Sequence, residues 1–172
     1  MDPLSLQIHA AVVQVFYFGR AYERAIEYAR KALDLDPNFA TTHLMLALAY
    51  KERGMFADAL AESEKALTFS GRSAPCLACI GGCYAASGRK QQAEKIIEEL
   101  RKLSEQKYVD SYVLAWVHAN LRDTEWALTH LEYAMQTNRV IWPRSRWTQR
   151  LISYAPTAAS RTCSAASVSR CK

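Results

Sequence analysis

The last 35 residues of this 172-residue chain contain no aspartate or glutamate; all 17 acidic side chains, and 15 of the 22 lysines and arginines, lie before Asn138. The net charge of +5 therefore belongs to the C-terminal segment, with its seven cations, while residues 1–137 balance at −2. Other absences narrow the class. No uninterrupted apolar run reaches the roughly 18 residues that a spanning helix needs, and the opening MDPLSLQIHA has no basic stretch ahead of an apolar core. The expectation is a soluble, cytoplasmic chain without membrane contact. Six glycines and five prolines exclude a collagen-like sequence, and a content of 50% hydrophobic and 23% charged residues is that of ordinary globular material. There is no G-x-S-x-G, no glycine loop to cradle a phosphate and no H-E-x-x-H. No catalytic residue, metal ligand, cofactor or small-molecule substrate is assigned.

What is present is a 34-residue step. Ala25, Ala59, Ala93 and Ala127 stand 34 residues apart, as do Val13, Ala47, Gly81 and Ala115, then Phe16, Tyr50, Tyr84 and His118, and then Ala32, Ala66, Leu100 and Ala134. Such a period marks a stacked repeat array. Each unit reads as two amphipathic helices. In the second unit Leu44, Leu46, Ala47 and Tyr50 precede Gly54, which ends the first helix, and Phe56, Ala59, Leu60, Ala66 and Leu67 follow it. Pro37 is placed to start a helix between units one and two, and Ser70, Gly71, Ser73 and Pro75 separate units two and three. Neither helix of a pair can bury its apolar face alone, so neighbours must stack. The expected fold is all-α, with units at about 6–39, 40–73, 74–107 and 108–137, followed by a basic low-complexity tail at 138–172.

The segment CLACIGGC places Cys76, Cys79 and Cys83 at C-x2-C-x3-C spacing. On a straight helix Cys76 and Cys83 lie roughly 10 Å apart, too far for easy ligation of one ion at about 2.3 Å per sulfur. In the repeat register the three match Thr42, Met45 and Ala49, so buried small thiols are expected. His9 and His43 share one repeat position and read as packing residues. His118 replaces an aromatic, His130 lies on a second helix, and neither has a carboxylate and nucleophile nearby in sequence.

Small residues at the eighth and twentieth positions of each unit, with aromatics at the eleventh and seventeenth, resemble the tetratricopeptide repeat. LALAYKERGMFADALAESEKAL carries the resemblance most fully, which extends over about residues 6–137. Units one and four depart from it: Arg20 and Arg122 stand where the turn glycine belongs, and Thr124 replaces an aromatic. The resemblance implies a right-handed superhelical solenoid of four helix pairs with a concave groove lined by the first helices. Its groove positions fall on Gln14 and Tyr17 in unit one, Leu44, Leu48 and Lys51 in unit two, Ala78, Gly82 and Ala85 in unit three, and Tyr112, Trp116 and Asn120 in unit four. Lys51 is the one cation among them. The implied role is a non-catalytic scaffold that binds an apolar or aromatic peptide, helix or neighbouring domain, rather than an acidic chaperone tail.

More narrowly, FYFGRAYERAIEYARKALDLDPNFATTHLMLALAY and YVDSYVLAWVHANLRD resemble repeat regions behind the winged-helix, kinase or cyclase domains of larger bacterial regulators. That resemblance implies a detached sensor or docking module. The regulators' repeat region closes with a pattern like DPxFDxLRxDPRFxxLLRRxG, which this chain lacks in frame. Codons taken one base out of step from Arg146 to Val168 permit LDPAFDKLRSDGRFQDLLRRIG, so a frameshift near Thr137 to Ile141 is expected. The alternative is a genuine cationic arm in which seven cations with Trp142 and Trp147 contact nucleic acid.

Overall fold

The computed structural model describes residues 3–106 and 108–136. The basic tail, with its frameshift and nucleic-acid readings, lies outside them. The described residues form eight helices: α1 (Pro3–Phe18), α2 (Tyr22–Leu35), α3 (Ala40–Glu52), α4 (Phe56–Phe69), α5 (Ala74–Ala86), α6 (Lys90–Gln106), α7 (Ser111–Asn120) and α8 (Thr124–Gln136). No strand occurs among these residues, and none of their helices is long and apolar enough to cross a membrane. The helices pair in chain order, α1 with α2 through α7 with α8, and each pair stacks on the next.

First and second helices carry different burdens. Each second helix buries a single stripe at i, i+4 and i+7: Ala25, Ala29 and Ala32 in α2, Ala59, Ser63 and Ala66 in α4, Ala93, Ile97 and Leu100 in α6. Their remaining faces are charged, as expected of surface helices. The first helices are enclosed. Every residue from Thr42 to Lys51 in α3 and from Cys76 to Cys83 in α5 is buried, because each of these helices meets its own partner, the preceding second helix and the neighbouring first helices. The three thiols are thus core residues. Ser63 Oγ lies 3.2 Å from Cys79 Sγ, at the seam between α4 and α5.

Four intra-unit turns close in one way. Gly54 and Gly88 adopt φ of +75° and +78°, and in the outer units Arg20 and Arg122 adopt +60°. In each, the residue after the left-handed position donates its N–H back five residues: Met55 to Tyr50 O at 2.9 Å, Arg89 to Tyr84 O at 2.8 Å, Ala21 to Phe16 O at 2.9 Å and Asp123 to His118 O at 3.0 Å. This is the left-handed helix stop that glycine adopts without strain. The arginines bend into it because the helix pair fixes the turn. Pro37, expected to start a helix, instead sits in the turn before α3, where its carbonyl lies 2.8 Å from His43 Nε2.

The seams between units are unequal. The backbones of α2 and α4 run close to α3 and α5, whereas α6 approaches α7 at only a few places. The cause is one repeat position: Ala29 and Ser63 are small there, while α6 presents Ile97. On the other side α7 draws close to α5, where Gly81 and Gly82 leave a dent. A Cβ on Gly82 would stand 2.3 Å from Trp116 Cζ3. Only glycine admits the indole.

Candidate functional site

The groove positions divide into two sets. Towards unit one, Gln7, Ala10, Ala11 and Gln14 of α1 face Thr41 and Met45 of α3 across a shallow cavity of about 120 Å³. Tyr17, one turn further on, is buried against the rings of Phe18 and Tyr22 at 5.4 and 5.9 Å. Burial, with Glu52 adding to it, pushes the Tyr17 phenol far above its ordinary range. It serves as a neutral wall. Leu44 and Leu48 are buried in α3, and Ala78 is buried in α5.

Towards unit four, four groove residues meet. Small side chains on α5 leave room for Trp116 of α7 to lie over Gly82. Its indole reaches the end of α3, where Lys51 Nζ sits 4.8 Å from the ring centroid. The same ammonium donates to Asn120 Oδ1 at 3.0 Å and pairs with Glu52 at 2.9 Å. Asn120 Nδ2 donates in turn to the Trp116 carbonyl at 2.7 Å. Only 8% of Lys51 remains exposed. A lysine so placed has its charge compensated by a carboxylate, a carbonyl-type oxygen and a π face, and offers little to an incoming anion. Ala85 and Tyr112 are half-buried beside this cluster, and burial together with Asp110 raises the Tyr112 phenol.

The histidines part company. His43 of α3 is held at both ring nitrogens, Nδ1 at 2.6 Å from Glu62 Oε2 and Nε2 at 2.8 Å from the Pro37 carbonyl. Burial works to raise the Glu62 carboxyl, but hydrogen bonds from Lys65 and His43 outweigh it and hold the group below its ordinary value. His118 and His130 stack at 5.7 Å with 18° between their planes, and Trp126 joins them at 6.0 Å from each. His118 Nδ1 lies 3.3 Å from Asp123 Oδ2, yet neither Nε2 has a hydrogen-bond partner among the described residues. Burial lowers both imidazoles, His130 to about 4, with the neighbouring His118 and Arg101 adding to the shift.

Beside this stack, where α6 stands off from α7, a cavity of about 410 Å³ is lined by Lys90, Glu94, Ile97, Glu98 and Arg101 of α6 and by His118 and Leu121–Asp123. Sequence reasoning missed both the cavity and the stack. Ile97 at the position of Ala29 and Ser63 was the available signal. Among the described residues no three His, Cys, Asp or Glu side chains converge as metal ligands would.

Residues 28–61, from the middle of α2 into α4, match the family described as Tetratricopeptide repeat. None of the curated proteins matches the sequence. Four helix pairs stacked at a 34-residue step, with this family's pattern matched in their midst, give the described residues a tetratricopeptide-type repeat architecture.

Proposed function

We propose that the array is a non-catalytic protein-docking module whose concave face takes an apolar or aromatic peptide or helix. Repeats of this type generally mediate protein–protein interaction, and the reading goes further on one observation: the engagement of Lys51 by Glu52, Asn120 and Trp116. A groove that recognised acidic chain ends would need a free cation, and among the groove positions named here Lys51 is the cation at hand. The surface left for a ligand is the outer side of Trp116 with Tyr112 and Ala85, and the shallow cavity beside Gln14. Cytoplasmic residence belongs to the same proposal, since the three buried free thiols suit a reducing compartment.

Calorimetric titration of the full chain with two peptides of equal length tests it, one neutral with two aromatic residues and one acidic with a free C-terminal carboxylate. The neutral peptide is expected to bind, and Tyr112→Glu to weaken it about tenfold. Binding of the acidic peptide that survives physiological salt overturns the proposal.

A further inference from the structure

In the second and third units, one face of the first helix is closed by the second helix of the unit before. At the α4–α5 seam this is seen atom by atom, with Ser63 Oγ 3.2 Å from Cys79 Sγ and Ser70 Oγ 3.5 Å from Cys76 Sγ. The closed positions recur at the 34-residue step. Thr42, Met45 and Ala49 of α3 are 0%, 2% and 0% exposed, and Cys76, Cys79 and Cys83 of α5 are 2%, 1% and 0%. In α1 the same positions hold Ile8, Ala11 and Val15. There Ile8 is 56% and Val15 69% exposed, and Ala11 is exposed as well.

This face is built like an interior and left open. α1 carries no Asp, Glu, Lys or Arg, and its polar side chains Gln7, His9 and Gln14 lie off the three seam positions. Val15 is larger than its counterparts Ala49 and Cys83, and an isolated exposed valine would call for no explanation. Three consecutive seam positions, apolar together and covered in the second and third units, do call for one.

The array itself shows what covers such a face. On α3 and α5 the occupant is an amphipathic helix with an aliphatic residue, a small residue three positions on and a second aliphatic four beyond: Ile26, Ala29 and Leu33 in α2, Leu60, Ser63 and Leu67 in α4. The small central residue sets a close seam, and where Ile97 replaces it α6 stands off from α7. A second copy's α8 fits poorly by this rule, since its central residue is Leu131.

We propose that the open face of α1 docks one amphipathic helix of a partner protein, bearing an aliphatic-x2-small-x3-aliphatic stripe with charged residues opposite, in the seat that α2 and α4 occupy on α3 and α5. This docking is independent of the concave groove. Its outer residues, Ile8 and Val15, take no part in the groove, and Ala11 alone also borders the shallow cavity beside Gln14.

The probe is a helix-stapled peptide with the sequence of residues 56–69, titrated into the full isotope-labelled chain. Saturable shifts at Ile8, Ala11 and Val15 are expected. Val15→Lys in the chain, or Ser63→Leu in the peptide, should weaken binding about tenfold or more, the first by burying an unpaired charge and the second by overfilling the seam. The unliganded Val15→Lys chain should melt where the native chain does, because Val15 is 69% exposed. Absence of shifts in α1, or equal affinity for Val15→Lys, overturns the proposal. Concentration-dependent self-association that Val15→Lys abolishes also overturns it, by assigning the face to a second copy. A fusion placing residues 55–73 directly ahead of Leu6 removes the dependence on a weak encounter. It should raise the midpoint of melting by about 5 °C, and an unchanged midpoint counts against the proposal.

Discussion

The second and fourth units are built to one plan and held together differently. In the second, α3 is buried along ten consecutive residues, its histidine has a partner for each ring nitrogen, and its turn bends at a glycine. In the fourth, two stacked imidazoles keep unpartnered nitrogens, the turn bends at Arg122, and the preceding second helix stands away from α7. Stability in a repeat array is the sum of unit terms and seam terms, so such an array need not open everywhere at once. The fourth unit should open first.

The largest effect that could break this comparison comes from cavities. Met45→Ala in α3 should cost about 3 kcal/mol and lower protection against hydrogen exchange in both units two and three, since Met45 is among the largest fully buried side chains. Val117→Ala in α7 should cost no more than about 2 kcal/mol and leave α3 and α4 protected. Equal loss of protection along the array in both variants would mean that it opens as one body. Denaturant melts with residue-resolved exchange decide between these outcomes.

Acid is the next lever. His118 and His130 have folded-state values below the ordinary 6.5, so the unfolded chain binds their protons more readily and acid favours unfolding. The stability of unit four should be fully present above about pH 6.5 and fall as pH drops towards about 4, the folded value of His130. Asp123 opposes the shift of His118, while Arg101 supports both shifts. Exchange in α7 and α8 followed from pH 7 to pH 4 should rise in that window, and His118→Phe with His130→Phe should flatten the response.

The smallest effect is a gain. Arg122→Gly should stabilise unit four by about 1 kcal/mol, because arginine at a φ of 60° carries a steric cost that glycine does not. The same exchange at Arg20 should act alike in unit one. A fall in melting midpoint for Arg122→Gly would show that the side chain contributes more at the cavity rim than its backbone costs.

Much of the fold was legible because the 34-residue step carries packing information directly. Ala25, Ala59, Ala93 and Ala127 are buried in the structure, and the three cysteines that imitate a metal motif fall at seam positions. Those inferences need only a helix period and a repeat. The candidate site was legible as a set of positions and not as an arrangement. Lys51 and Asn120 lie 69 residues apart, and their bond depends on Trp116 crossing the dent at Gly82, which depends on how far α7 moves towards α5. That distance follows from Ile97, Gly81 and Gly82 acting together. The left-handed arginines were visible as departures from the family pattern, but only the hydrogen bonds show that the turn keeps its shape and puts the strain on the residue.

The buried thiols give the α4–α5 seam a timer. Cys76, Cys79 and Cys83 are closed off as long as α4 stays seated, so an alkylating reagent can reach them only during an opening. Their labelling rates, separated peptide by peptide in a mass spectrometer, would count how often unit two parts from unit three without any residue being substituted.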